Sequence, residues 1–191
     1  MSAEALTARL AALEERWAPY GGQEGMRLRA GLDDSAMNAL VASIGYELDE
    51  EQRAWWGWAD GTEQTDVYAY GRGQVFPSIS LLPLSAAVKE YQFWEPLGRD
   101  NPGLWPLRWL QLSDGQLPVV SAATATSQTQ VAKFHSVMGT EPRLQSLAHM
   151  VDVWLWFWDN SDIRPIKEAP GWTGTWPDVP LELETLGVMH A

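Results

Sequence analysis

Cysteine is absent from all 191 residues. That excludes a disulfide framework, a thiolate nucleophile, a cysteine zinc site and an iron–sulfur cluster, and nothing calls for an oxidising compartment. Long apolar runs are missing as well. The longest, Met150 to Trp158, contains Asp152 and falls far short of the roughly 20 residues that a membrane-spanning helix needs. Met1 to Arg9 carries Glu4 and lacks the basic and apolar regions of a secretory leader, so a cytoplasmic location is expected. Positive charge is scarce. Against 25 Asp+Glu there are 13 Lys+Arg, and the formal charge of −12 repels nucleic acid and anionic lipid at long range while favouring a cationic partner.

Imidazole is equally scarce, with His135, His149 and His190 the only three. His149 and Asp152 share a helical face, but two ligands do not make a metal site and no third is evident. No metal or cofactor is expected. A Gly-x-Ser-x-Gly elbow, a Walker-type glycine–lysine loop and a Gly-x-Gly-x-x-Gly run after a strand are all lacking, and Gly71-Arg72-Gly73 reads as a turn. No pair of carboxylates is singled out by spacing for glycoside hydrolysis. The expectation is a protein without catalytic activity.

What the chain does have is 46% hydrophobic residues, enough for a globular core, and 12 tryptophans. A chain of this length rarely buries every indole, so some are expected in a groove or an interface. Leu6, Leu10, Leu13 and Trp17 predict a helix over Ala3 to Trp17, ended by Gly21-Gly22 and followed by a loop to Leu32. A second helix is expected from Asp33-Asp34-Ser35 to Gly45, and a third from the capping-box-like Asp49 and Gln52 to Trp58, stopped by Asp60-Gly61. Val75-Phe76 and Ile79-Ser80-Leu81 read as strands, with Pro77 marking an edge or a bulge. A helix capped by Ser85 follows and closes at Pro96 and Gly98. Strands over Trp105 to Leu112 and Leu117 to Ser121 flank a turn at Ser113-Asp114-Gly115, Ala122 to Gln130 reads as a loop or a weakly specified edge, and Val131 to Met138 as a strand. Pro142 to Asn160 is the strongest helix and is apolar on every face, so it must be enclosed. The tail beyond Ile163 is rich in proline.

Asp33 to Asp159 resembles the SUKH superfamily, the Smi/Knr-like domain. The resemblance rests on Ile44-Gly45, on Leu48-Asp49-Glu50-Glu51, and on the aromatic helix Arg53 to Trp58 that leads to Asp60-Gly61. It continues through Phe76 to Leu84, Trp105-Pro106-Leu107-Arg108-Trp109-Leu110 and Ser146 to Trp156. Asp49 stands where the family usually has proline, and the acidic-aromatic strand usual after Gly115 is replaced by Gln116-Leu117-Pro118-Val119. The resemblance implies a single α+β domain over residues 1–191, a mixed or antiparallel sheet flanked by helices. Residues 1–32 would form an N-terminal helix and loop, 33–160 the core and 161–191 the tail. It further implies protein binding without catalysis: in bacteria, an immunity protein that neutralises a cognate toxin, often a nuclease, and in fungi a regulatory scaffold.

Between Asp33 and Asp66 stand nine carboxylates and one base, Arg53. Such a concentration steers a basic protein toward it, which makes Asp49, Glu50, Glu51, Asp60, Glu63 and Asp66 candidate partner-binding residues. The competing account is local, because carboxylates at helix N-termini complement the macrodipole without any partner. Trp55, Trp56 and Trp58 cannot all face one side of a helix, so at least one approaches the surface, with Trp58 as the candidate. Trp172 and Trp176 lie in the irregular tail and are the other candidate anchors, unless they fold back over the core. An intracellular scaffold and a carbohydrate-binding module are the alternative readings, the latter predicting exposed, coplanar indoles. Oligomeric state is left open.

Overall fold

Leu6, Leu10, Leu13 and Trp17 are all buried along one face of the first helix, α1 (Ala3–Trp17). The computed structural model describes residues 3–63, 73–77, 79–101, 108–114, 119–123, 129–135, 139–166, 172–175 and 177–178. α1 leads through a 3-10 turn (Ala18–Tyr20) and a short helix, α2 (Gly22–Met26), into β1 (Leu28–Ala30), a strand where the sequence predicts a loop. The strand exists because it has a partner. β2 (Ala59–Thr62) pairs with it antiparallel, Leu28 opposite Thr62 and Ala30 opposite Ala59. Three residues without alternation carry no strand signal of their own.

Asp33 caps α3 (Asp34–Ala42), its carboxylate accepting the Ala36 N–H at 2.8 Å. At the start of α4 (Glu50–Trp58) the capping box forms as expected. The Gln52 N–H reaches Asp49 Oδ1 at 2.8 Å, and Gln52 Oε1 accepts the Asp49 N–H at 3.2 Å. Asp60-Gly61 does more than stop this helix, since both residues continue into β2. Gly61 sits at φ +80°, and a Cβ there would lie 2.5 Å from the Pro83 nitrogen, so dihedral and close approach both demand glycine.

β3 (Gln74–Phe76) and β4 (Ile79–Leu81) pair antiparallel, with Pro77 in the turn, β3 on the sheet edge and an irregular register beside it. The next helix, α5 (Leu84–Asp100), differs from expectation at both ends. Pro83, not Ser85, occupies the N-cap position, and Asp60 Oδ1 accepts the Leu84 N–H at 2.8 Å from across the fold. Nor does the helix close at Pro96 and Gly98, for it continues to Asp100. Pro96 and Gln92, whose carbonyl lacks its partner, are both exposed, so the missing bond falls on the solvent side.

A four-stranded antiparallel sheet runs in the order β5 (Trp109–Gln111), β7 (Val119–Ala123), β8 (Thr129–His135), β9 (Gly139–Leu144). The expected pairing of its first two strands holds, Trp109 opposite Ala122 and Leu110 opposite Ser121. Ser113-Asp114, however, forms a short strand, β6, that pairs with β4 in a three-stranded sheet instead of serving as the turn. The last long helix, α6 (Leu147–Asn160), starts later than predicted because Pro142 belongs to β9, opposite Ala132. Ser146 caps it, accepting the His149 N–H at 3.0 Å. Every described strand pair is antiparallel, and helices and sheets make one α+β domain.

α6 is enclosed as its composition requires, with Leu147, Met150, Val151, Val153, Trp154, Phe157 and Trp158 all buried. It runs parallel to α1. Arg9 pairs with Asp152 at 2.6 Å and Arg16 with Asp159 at 2.7 Å, two turns apart on each helix. The N-terminal segment is therefore part of the principal core, which also holds Trp55, Phe76, Leu84 and Leu110. A smaller cluster of Trp109, Ala122 and Ala132 is covered by Trp94 of α5. In the tail two short strands pair antiparallel, β10 (Arg164–Pro165) with β11 (Trp172–Thr173). No helix among the described residues is long and apolar enough to cross a membrane.

Candidate interaction surface

The acidic segment divides by burial. Asp33, Asp34, Glu47, Glu50 and Glu63 are exposed, Asp49 is half-buried, and Glu51 and Asp60 are interior; Asp66 lies outside the described residues. The surface role expected of Glu51 and Asp60 is corrected by their positions, since each is turned inward against a helix N-terminus. Asp60, 8% exposed, serves the first N–H of α5 and has Arg29 at 3.7 Å. Glu51, 3% exposed, accepts the Leu147 N–H of α6 at 3.0 Å, where the positive end of that helix favours an anion. Its other oxygen, Oε1, is buried without a partner among the described residues. Burial pushes the Glu51 carboxyl above its ordinary range, and the Leu147 N–H opposes that shift without cancelling it.

Neighbouring Gln52 completes a buried polar cross-link. Its amide nitrogen donates to the Tyr46 hydroxyl and to Ser121 Oγ, both at 3.1 Å, joining α4 to the four-stranded sheet. The Tyr46 hydroxyl in turn donates to the Arg108 carbonyl at 2.9 Å, and Arg108 holds φ +78°. Such a dihedral is strained for a residue with a Cβ.

The exposed acids do not gather at one point. The Leu32 N–H meets the Trp56 carbonyl at 2.9 Å, and Arg53 reaches Asp34 at 3.1 Å and Asn38 at 2.9 Å, so α3 and α4 are antiparallel. Their acidic N-termini lie at opposite ends of the pair. Asp33 and Asp34 mark one end and Glu47, Asp49 and Glu50 the other, about 13 Å apart for a helix of this length. That exceeds the screening length of about 8 Å at physiological salt, so the ends act as two charged poles with Arg53 between them.

The tryptophans are largely consumed by the core. Trp17, Trp55, Trp56, Trp109, Trp154 and Trp158 are buried, and Trp58, Trp94, Trp156 and Trp172 are half-buried; Trp105 and Trp176 lie outside the described residues. Trp58 sits at the edge as the helical spacing requires, its indole N–H donating to Glu14 at 2.5 Å. Trp172 folds back. Its ring meets Trp17 at 5.4 Å and Trp158 at 5.7 Å, and Arg164 lies 5.3 Å above the Trp158 ring.

The sequence reading missed the outer face of α5. Leu84, Ala87 and Val88 face the core, while Phe93 at 61% and Leu97 at 39% exposure project with Pro96 on the opposite side. A helix apolar on two faces is legible by spacing alone, but ending the helix at Pro96 hid it. On the inner flank of α5 an open groove of about 300 Å³ is lined by Ser43, Ile44, Tyr91, Gln92, Glu95 and Arg99. Glu95 and Arg99 are paired with each other. Burial, with Glu95 behind it, raises the Tyr91 hydroxyl above its ordinary value.

His149 is half-buried and its backbone N–H is held by Ser146; among the described residues no group of three or more His, Asp or Glu is placed to hold a metal ion. Set against known proteins, the chain matches no family model and no curated sequence.

Proposed function

We propose that the chain is a non-catalytic protein-binding domain of immunity type, which occupies and neutralises a cognate cationic toxin. The observation that carries this reading is the outward acidic surface: five carboxylates between Asp33 and Glu63 are exposed on a molecule of charge −12. A toxin that grips nucleic acid presents a basic face, and opposed potentials accelerate its capture. The SUKH-like order of motifs agrees with that role. Half-buried Trp58, at the C-terminal end of α4 and so on the side of the Asp33–Asp34 pole, supplies an aromatic edge to the contact.

A carbohydrate platform requires exposed indole faces, and none of the described tryptophans is exposed. A scaffold would use the same surface, with weaker and less exclusive binding. Co-expression with a toxin encoded beside this gene separates the two. Cells survive the toxin only when this protein is present if the immunity reading holds, and equal killing with and without it refutes that reading.

A further inference from the structure

The outer face of α5 carries a pattern that the toxin-binding reading does not use. Lys89, Phe93, Pro96, Leu97 and Asp100 share one face of the helix, each three or four residues from another of the set, and all five are exposed. Phe93 and Leu97 are two of the three large hydrophobic side chains exposed among the described residues, the third being Ile166. Phe93 packs edge-on against Trp94 at 5.0 Å, and Trp94 seals the smaller core cluster, so the ridge stands on a rigid base. Arg99 is occupied by Glu95 one turn away, whereas Lys89 and Asp100 have no ion pair among the described residues. The ridge thus has an apolar centre, a cation at one end and an anion at the other, neither ion-paired among the described residues.

We infer that this face pairs with the same face of a second copy, two α5 helices meeting antiparallel about a twofold axis near residue 95. The register follows from the spacing. Reversal about that point sets Phe93 against the partner's Leu97 and Lys89 against the partner's Asp100, and symmetry repeats both contacts. Charge complementarity selects a second copy, because the same ends repel in a parallel pairing. The contact is one helix wide, well under the ~1,200 Å² of a standard stable interface, and each copy carries −12, so the dimer is concentration-dependent and in the micromolar range.

Sedimentation equilibrium between about 5 and 500 µM reads this directly. The weight-average mass rises toward twice the monomer in the wild type, and Phe93→Asp holds it at the monomer. Lys89→Glu alone and Asp100→Lys alone each weaken association about tenfold, and the double exchange restores it. These positions are exposed, and unchanged thermal unfolding of each variant confirms that the fold is intact. A wild type that stays monomeric throughout overturns the inference and leaves the ridge to a foreign partner. So does a dimer indifferent to Phe93→Asp, or a double exchange that fails to restore association.

Discussion

Glu51 is a buried carboxylate in surroundings that disfavour its charge. One oxygen holds the first N–H of α6 and the other is buried without a partner among the described residues, so the ionised form bears a desolvation cost that a single helix end does not remove. Its carboxyl is raised, which means that the protonated form suits the fold better than the charged one. That contribution is fully present below the ordinary carboxylate range and is lost as pH rises through the folded value. Glu51→Gln keeps an acceptor for Leu147 and removes the charge. Thermal unfolding at pH 4 and at pH 7 should therefore show the difference between variant and wild type moving in the variant's favour as pH rises. A difference independent of pH would contradict this account of Glu51. The paired surface carboxylate of Asp159, lowered mainly by its bond to Arg16, shifts the opposite way, but its exposure limits what the pair contributes to about 1 kcal/mol or less.

Asp60 joins elements that are distant in sequence, tying the β1–β2 ribbon to the start of α5. Asp60→Ala leaves the Leu84 N–H buried without its acceptor and should cost about 1–3 kcal/mol, read as a lower denaturation midpoint with an unchanged slope. Gly61→Ala is expected to cost more than Asp60→Ala, because φ +80° and a contact of 2.5 Å to Pro83 combine. A variant as stable as wild type in urea would show that this turn relaxes freely. Both residues also mark how far the sequence could be read. It identifies Asp60-Gly61 as the end of α4 but not as half of a two-stranded ribbon, because that pairing depends on β1, thirty residues upstream. Helices with their own periodicity, α1, or with their own caps, α3, α4 and α6, are legible; elements that exist through a distant partner, β1, β2 and β6, are not. The same division runs through the candidate site. Asp33 and Asp49 reveal themselves as local caps, whereas the burial of Glu51 and Asp60 is decided by α6 and α5 arriving from elsewhere.

At the scale of the whole molecule, the packing of the indoles and the distribution of charge point to the same kind of work. A core that encloses Trp55, Trp56 and Trp154 leaves a rigid body, and Asp33, Asp34, Glu47, Glu50 and Glu63 remain outside. Two acidic poles fixed at opposite ends of an antiparallel helix pair orient an approaching cationic surface as well as attract it. The central claim is that capture is driven by this charge. It is tested most directly by the association rate with the toxin partner proposed above, measured by stopped flow from about 20 to about 200 mM salt. The wild type should slow at least about tenfold across that range, while a variant with Asp33, Asp34, Glu47, Glu50 and Glu63 changed to their amides associates slowly at every salt concentration and dissociates at the wild-type rate. An association rate indifferent both to salt and to those five substitutions would contradict the account.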